Sequence, residues 1–393
     1  MLATRRDVLM TVSIISLFSA ALATPASAKT FVYVSNAQDS TIDMFTMDPV
    51  TGALTSTGKA DAGKLVMPMA LSPSKKFLYA VVRSEPFRVM TYAIDQTTGA
   101  LAQKASAPLP DSMAYGSTDR TGRYFFTASY GGHKVAVNSI STNGLIEGPA
   151  VQVVPTGKNA HSILVDRTNT YVYATNLGSN QILQFKFDAK DGKLTLNNPP
   201  AITARPDHGP RHLALTRDNR FLYVLNELTG HVAQFAISRA NGTLKEIDSV
   251  GSVPADAGLV PGVAQAPLSP TAVAPPAASA PKADEKPKIW AADVQLTPNG
   301  RFLYATERTT SKIALFKVAS STGKLTYVTN FATEKQPRGI KVDPSGKFLV
   351  ATGEKSDKVA VYKIDQGKGT LTEAGRYPVG NGANWVEIAD ISR

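Results

Sequence analysis

Histidine, arginine and glutamate side chains collect at two equivalent points of a pattern that repeats seven times along this 393-residue chain. Arginine presents a planar fork of hydrogen-bond donors to an anionic oxygen, or to an oxyanion that develops during a reaction. Histidine or glutamate can take a proton from water if its pKa lies near the working pH. These residue types therefore indicate a site that activates water beside an anionic group. The residues at the two points are His161, Arg211 and Arg338, then Arg83, Tyr130, Glu227, Arg308 and Glu354, and adjoining positions add His212, Asn226, Asp293 and Glu307.

Two arginines of this set have a glutamate at the same distance along the chain. Glu227 follows Arg211 by 16 residues, and Glu354 follows Arg338 by 16 residues. An arginine and a glutamate at matched points of one repeat suit a functional site. Charge pairs also tie neighbouring repeats together, so a structural role for each of these residues stays open.

The elements that must position these side chains are short strands. Each repeat has an apolar segment ending near Leu-Tyr, a polar loop, an alternating segment and a turn with Gly-x-Leu. Apolar residues that alternate with period two indicate strands and not helices. The equivalent positions of the apolar segments are Tyr33, Tyr79, Phe126, Tyr173, Tyr223, Tyr304 and Val350.

Seven repeats of about 46 residues, each with four short strands, predict an all-β fold, a seven-bladed β-propeller. A stacked solenoid is the competing architecture, but helical repeats do not fit the alternation. In a propeller, the start of the innermost strand and the end of the next strand lie on the same face of the disc. The two sets of polar residues are therefore expected to meet at one end of the central channel.

The two ends of the chain predict how the ring closes. The first repeat begins directly at Phe31 and lacks the strand that precedes the Leu-Tyr strand elsewhere, whereas residues 383–388 form a surplus strand. Pairing this last strand with residues 31–35 would complete the first blade. Closure of that kind removes the exposed edges that open sheets must protect.

One step between repeats is longer than the others because it contains an insertion. Residues 254–287, the insertion segment, hold eight of the 25 prolines and many alanines. This composition cannot build a packed core and predicts an irregular excursion. It is either a tolerated surface loop or a flap over one face of the disc.

The first 28 residues have the features of an export signal. Arg5 and Arg6 precede an uncharged apolar stretch from Met10 to Ala23, and small residues suited to cleavage follow. The arginine pair resembles a twin-arginine signal. Ordinary secretion and an uncleaved anchor stay open as alternatives. We expect residues 29–393 to form the propeller in the periplasm, without stable membrane insertion after cleavage.

Composition excludes several classes of chemistry. The chain has no cysteine, which removes disulfides, zinc fingers and cysteine nucleophiles. Its net charge of +11 is scattered and forms no basic stripe, so we expect no nucleic-acid partner. The nucleophile elbow, the phosphate-binding loop and the HExxH motif are absent, and no spacing requires a metal. We therefore expect neither a metal nor an organic cofactor.

Several strings of the chain are typical of one known family, and they include NAHSILVDRTN, GPRHLALTRDNRFLYVLNEL, WAADVQLTPNGRFLYATERT, QPRGIKVDPSGKFLVATGEKSDKVAVYKI and RYPVGNGANWVEI. On these strings the sequence resembles the seven-bladed bacterial 6-phosphogluconolactonases, which are related to fungal carboxy-muconate cyclases. The resemblance covers nearly all of residues 30–390. The chain departs from the family in its export signal and in the length of the insertion segment.

This resemblance implies a lactone hydrolase. The family's proposed active-site residues correspond to His161 in NAHS, Arg211 in GPRH, Glu227 in NEL and Arg308 in ERT. They imply attack by water on a sugar-acid lactone, with His161 or Glu227 as general base and the two arginines on the oxyanion. The near-neutral ordinary pKa of histidine favours His161.

The substrate is expected to be a small-molecule lactone, either glucono-1,5-lactone or 6-phosphogluconolactone. Arg83 and Arg338 are the candidates for a phosphate contact, and Tyr130, Asn226, Asp293 and Glu354 are further candidates for substrate binding. We expect a monomer. The alternative function is a non-catalytic propeller that binds a protein or ligand at the cell envelope.

Overall fold

The computed structural model describes Leu2, residues 29–269, Thr271 and residues 286–391. This described part contains 28 strands and one 3-10 helix, Ala255–Ala257. The first fourteen strands are β1 (Lys29–Asn36), β2 (Thr41–Met47), β3 (Leu54–Asp61), β4 (Val66–Leu71), β5 (Phe77–Val82), β6 (Arg88–Ile94), β7 (Leu101–Pro108), β8 (Met113–Thr118), β9 (Tyr124–Ser129), β10 (Lys134–Ser139), β11 (Gln152–Pro155), β12 (Ala160–Val165), β13 (Tyr171–Asn176) and β14 (Gln181–Asp188). The remaining strands are β15 (Lys193–Thr203), β16 (Pro210–Leu215), β17 (Phe221–Asn226), β18 (His231–Ile237), β19 (Leu244–Gly251), β20 (Ala291–Leu296), β21 (Phe302–Glu307), β22 (Lys312–Val318), β23 (Leu325–Ala332), β24 (Ile340–Val342), β25 (Phe348–Ala351), β26 (Lys358–Ile364), β27 (Leu371–Pro378) and β28 (Ala383–Ile391).

The strands form seven antiparallel four-stranded sheets, which are the seven predicted blades. Six blades use four consecutive strands, and the seventh has the order β28-β1-β2-β3. Strand β28 pairs with β1, placing Val32 opposite Ile388 and Val34 opposite Val386. The seven-bladed propeller and its closure by the C-terminal strand are thus confirmed.

Apolar side chains fill the spaces between neighbouring blades. One cluster joins Tyr223 and Leu225 of the blade β16–β19 to Leu303, Ala305 and Phe316 of the blade β20–β23. Full burial of a side chain of this kind stabilises the fold by about 1.5–3 kcal/mol. Because every blade has two such faces, the ring fixes the positions of the innermost strands around the channel.

The tyrosine of the repeat also joins each blade to the next through its hydroxyl. Tyr223 Oη donates a hydrogen bond to the carbonyl oxygen of Gly323 in the following blade, at 2.7 Å. Gly323 has φ of +68°, and a Cβ at this position would lie 2.6 Å from Phe221 Cδ2, so the turn requires glycine. The Leu-Tyr and Gly-x-Leu elements of the sequence repeat are therefore partners across blade boundaries. The same bond links Tyr33 to Gly99, Tyr79 to Gly144, Tyr173 to Gly242 and Tyr304 to Gly369.

Tyr223→Phe should lower the free energy of unfolding by about 1–2 kcal/mol, because it leaves the buried Gly323 carbonyl without its partner. Urea unfolding followed by tryptophan fluorescence measures the change. Tyr377→Phe is the matched control, since the Tyr377 hydroxyl makes no hydrogen bond within the described residues. Equal stability of the two variants would contradict a role for the interblade bond.

The predicted export signal, residues 1–28, lies outside the described residues apart from Leu2. Within the described ranges, no helix has the length and apolar character needed to cross a bilayer. The insertion segment is described at residues 254–269, at Thr271 and from Lys286 onward.

Candidate functional site

The innermost strands present His161 and Arg211 through local irregularities in strand pairing. In β12, Ala160 pairs with Asn176 and Ser162 with Thr175, which leaves His161 as the extra residue. In β16, the same shift occurs around Arg211. A β-bulge re-aims the side chain of its extra residue and is common beside active sites. The bulges place both side chains at one end of the channel, where the strands begin.

A cavity at this end of the channel contains most of the predicted site residues. Seven of them line it, namely Arg83, Tyr130, His161, Arg211, Glu227, Arg308 and Arg338. The two equivalent points of the repeat therefore meet, as the propeller geometry predicts. The other lining residues are Met67, Ala114, Gln265, Ala266, Leu268 and Trp290.

Glu227 joins the two arginines at the centre of the site. Its Oε2 accepts hydrogen bonds from Arg211 Nε at 2.7 Å and from Arg308 Nη2 at 3.0 Å. All three side chains are at least 95% buried. Charge-assisted bonds of this kind are short and strong, and they hold the guanidinium planes in fixed orientations.

Arg211 retains hydrogen-bonding capacity beyond its bond to Glu227. Its Nη1 donates to the carbonyl oxygen of Ala292, whereas its buried Nη2 has no partner in the described part of the chain. Burial and the neighbouring Arg308 guanidinium lower the pKa of Arg211 to about 9. Arg211 is therefore still charged at neutral pH and has a donor available for an anionic ligand.

Arg308 is held by backbone and aromatic contacts. Its Nε donates to the Trp290 carbonyl at 3.1 Å and its Nη2 to the Ala291 carbonyl at 3.1 Å. The guanidinium carbon lies 3.7 Å from the Trp290 ring centroid, a cation–π contact. Burial lowers the pKa of Arg308 from its ordinary value. These contacts hold the charged guanidinium in one position in the site.

Two further arginines give the site an excess of positive charge. Arg338 Nη1 lies 3.3 Å from Glu354 Oε1, so this arginine and glutamate, which hold matched points of one repeat, form an ion pair. Arg83 Nε donates to Ser112 Oγ at 3.2 Å, and burial together with the Arg338 charge lowers the pKa of Arg83 to about 9. Four guanidinium groups thus face two carboxylates, so the site favours an anionic ligand.

His161 lies beside these arginines and is buried. Its ring packs edge-on against Tyr130, with centroids 5.6 Å apart, and its Nδ1 has no hydrogen-bond partner in the described residues. Burial, then the positive charge of Arg211, hold the pKa of His161 well below its ordinary value. His161 is therefore neutral at neutral pH and can accept a proton.

Three of the predicted site residues do not line the cavity. Asn226 Nδ2 donates to the carbonyl oxygens of Val224 and His231. Asp293 bonds instead to His212 and lines a separate cavity that includes Tyr115 and Trp385. Glu354 accepts hydrogen bonds from Arg338, which lines the cavity, and from Gln336, which does not. Equivalent position in a repeat fixes the height along the channel but not the direction of the side chain.

The insertion segment contributes residues that sequence reasoning did not assign to the site. Gln265, Ala266 and Leu268 line the cavity, and the Gln265 carbonyl accepts a 2.8 Å hydrogen bond from Tyr130 Oη. Leu268 packs against a buried cluster that includes Met67. The composition of the insertion segment could not distinguish a surface loop from a flap over the site. The contacts at 265–268 are those of a cover over the site.

A larger cavity of about 240 Å³ adjoins the site. It shares Gln265, Trp290 and Arg308 with the first cavity. No aspartate or glutamate is among the described residues that line it. Its basic lining residues besides Arg308 are Lys286, Lys288, Lys335 and Lys355. A group of three or more His, Asp or Glu side chains suited to a metal ion does not occur in the described part of the chain.

Nearly the whole chain is similar to known proteins. The family model described as "Lactonase, 7-bladed beta-propeller" matches residues 30–388. A 6-phosphogluconolactonase of Serratia proteamaculans is 36% identical over 361 residues, covering 92% of this chain and 99% of the relative. A 6-phosphogluconolactonase of Pectobacterium carotovorum is 34% identical over 357 residues, covering 91% and 98%. The solved periplasmic gluconolactonase of Pseudomonas aeruginosa superposes with a TM-score of 0.78 at 22% identity, covering 93% and 100%, which is a likeness of fold.

Proposed function

This chain belongs to the seven-bladed β-propeller lactonases and is a lactone hydrolase, and we propose that it hydrolyses a sugar-acid lactone, glucono-1,5-lactone, in the periplasm. The observation that carries this proposal is the buried Arg211–Glu227–Arg308 cluster beside a neutral His161. Membership of a hydrolase family disfavours the alternative function, a non-catalytic propeller that binds a protein or ligand at the cell envelope.

Arg211 and Arg308 would stabilise the oxyanion. Attack by water turns the lactone carbonyl into a tetrahedral intermediate whose oxygen carries a full negative charge. The unpartnered Nη2 of Arg211 is a buried donor for that oxygen, and Glu227 prevents the guanidinium from turning away. Preorganised donors of this kind contribute about 10²–10³-fold each to an acyl transfer.

His161 would be the general base, and Glu227 would hold the arginines. Glu227 Oε2 already accepts two charge-assisted bonds, whereas His161 is neutral and makes no ion pair. In the proposed reaction His161 takes a proton from the attacking water. The ring C–O bond of the intermediate then breaks, and the departing oxygen receives that proton as a hydroxyl group.

Arg83 and Arg338 would bind the negatively charged product of the reaction. Ring opening converts a neutral lactone into a carboxylic acid that loses its proton to solvent at neutral pH. Arg83 and Arg338 add positive charge to the same cavity, so the aldonate anion can be bound before it leaves.

Acid release from glucono-1,5-lactone in a pH-stat tests the proposal. The wild type is compared with His161→Ala and Arg211→Ala and with a buffer blank, because the lactone also hydrolyses spontaneously. The wild type should exceed the blank, and both variants should approach it. Equal rates in all four samples would refute the proposed substrate.

6-Phosphogluconolactone is the second candidate substrate, and the lysine-lined cavity favours it. That cavity meets the site at Arg308 and Trp290, so a phosphate attached to a bound lactone could extend into it. The curated relatives are named for this phosphorylated substrate. The two candidates share one reaction and differ in the group that the lysines would contact.

The variant Lys335→Glu/Lys355→Glu separates the two substrates. If the phosphorylated lactone is bound as described, its KM should rise about tenfold because two attractive charges become repulsive, while the KM of the free lactone stays constant. The matched control, Lys104→Glu/Lys363→Glu, makes the same charge change on exposed strand positions away from the cavity. Equal KM shifts for both lactones would exclude the phosphate contact.

We propose that the protein is exported to the periplasm, where residues 1–28 are removed. We also propose that the mature protein is a monomer. The arginine pair and apolar stretch support export. Cell fractionation of the wild type and of Arg5→Lys/Arg6→Lys tests the twin-arginine route, and size-exclusion chromatography with light scattering tests the monomer. Retention of both proteins in the cytoplasm would refute export.

A further inference from the structure

Two histidine rings meet in the channel just below the site. The rings of His161 and His212 have centroids 5.2 Å apart and an interplanar angle of 64°. Each ring has one buried nitrogen without a hydrogen-bond partner in the described residues, Nδ1 in His161 and Nε2 in His212. Buried polar atoms rarely stay unpaired, so two unpartnered nitrogens on adjacent rings point to a water molecule that bridges them.

The protonation of His212 follows from its contact with Asp293. Its Nδ1 lies 2.8 Å from Asp293 Oδ1, and the two oxygens of Asp293 also accept bonds from the backbone amides of Val294 and Ile340. The hydrogen bond from His212 and its positive neighbours keep the pKa of Asp293 below its ordinary value despite burial. An ionised carboxylate only accepts hydrogen bonds, so His212 Nδ1 must carry the hydrogen.

His212 therefore presents an acceptor to His161. Burial and the Arg211 charge lower the pKa of His212 to about 4, so the ring is neutral at neutral pH. A neutral imidazole with hydrogen on Nδ1 has a lone pair on Nε2. The ring is also held on two sides by the aromatic rings of Tyr115 and Trp385, at 5.1 and 5.8 Å between centroids.

From this arrangement we infer that Asp293 and His212 are positioning residues that select the Nδ1–H tautomer of His161 across one water molecule. His161 Nδ1 then donates toward His212 Nε2, and His161 Nε2 keeps the lone pair that a general base needs. This inference rests on the proposed role of His161. Neither Asp293 nor His212 lines the site cavity, so neither would touch the substrate.

Nitrogen-15 spectra of the imidazole rings test the tautomer without any turnover. The chain has five histidines, and comparison with His161→Gln and His212→Gln assigns the two rings. The wild type should show hydrogen on Nδ1 of both. Asp293→Asn should alter the His212 tautomer and release His161 from the Nδ1–H form. Hydrogen on Nε2 of His161 in the wild type would overturn the inference.

Kinetics supply the second readout. Asp293→Asn should lower kcat for the hydrolysed lactone by about 10–10³-fold with KM nearly constant, because binding residues are untouched while the base is mostly in the wrong tautomer. His212→Phe keeps the ring packing without the acceptor and should act in the same direction. The control Asp343→Asn removes another buried carboxylate, one that binds turn amides, and should leave kcat unchanged.

The outcomes separate this inference from the proposed function. If neither lactone is hydrolysed by the wild type, the proposed substrate fails, while the ring spectra still decide the tautomer. If the wild type is active but Asp293→Asn and His212→Phe, both folded by circular dichroism, retain full kcat, the positioning role is refuted.

Discussion

His161→Ala should lower kcat/KM for the hydrolysed lactone by about 10²–10⁴-fold, the usual contribution of a positioned general base. His161 is neutral at neutral pH because burial and Arg211 depress its pKa. Protonation therefore requires a pH below the ordinary histidine range, so wild-type activity should stay constant as pH falls through 6.5 and decline only below it. A pH-stat series with both proteins, corrected for spontaneous hydrolysis, measures both effects.

Imidazole in the assay should partly restore the activity of His161→Ala, since a diffusible base can occupy the space of the missing ring. His231→Ala is the control, because the His231 ring lies outside the cavity and contacts Ser249. It should have wild-type activity and no response to imidazole. Full activity of His161→Ala would assign the base to another residue, with Glu227 as the first candidate.

Glu227→Ala should destabilise the protein by about 3–5 kcal/mol as well as abolish most of its activity. The variant leaves Arg211 and Arg308 buried, charged and without their shared carboxylate. The guanidinium groups would also lose the orientation that suits an oxyanion. Urea unfolding measures the stability, and lactone hydrolysis on the folded variant measures the activity.

Glu373→Ala is the matched control for that experiment. Glu373 forms an ion pair with Arg376 at the surface, and its side chain is 47% exposed. Exposed pairs contribute about 0–1 kcal/mol, so this variant should unfold close to the wild type and hydrolyse lactone normally. If Glu227→Ala were as stable as Glu373→Ala, the buried cluster would not be the structural centre of the site.

The residues that came together in the site were largely predictable because a closed ring repeats one geometry. Arg211 holds the first of the two points in its blade, on the innermost strand, and Glu227 holds the second, after the next strand. His161 holds the first point in the preceding blade, and Arg308 holds the second point in the following blade. Once strand pairing repeats, equal sequence positions must lie at equal heights along the channel. Alignment of the repeats was therefore sufficient to collect four arginines, a histidine and a glutamate.

The alignment of the repeats could not predict the direction in which each side chain points. Asp293 lies one residue after Ala292 on an innermost strand, yet it faces His212 and away from the site cavity. Successive strand residues face opposite ways, and the bulges at 161 and 211 change which residue faces where. A bulge depends on pairing with another strand, so no local pattern reveals it.

The sequence by itself determined the seven-bladed ring and its closure, because these depend on periodicity and on residue types that recur. Tertiary structure alone decided the charge state of the site and its cover. The lowered pKa of His161 arises from burial among arginines of other blades. Likewise, Gln265 reaches Tyr130 across 135 positions of sequence. Both effects depend on distances between residues far apart in the chain, which composition and spacing do not encode.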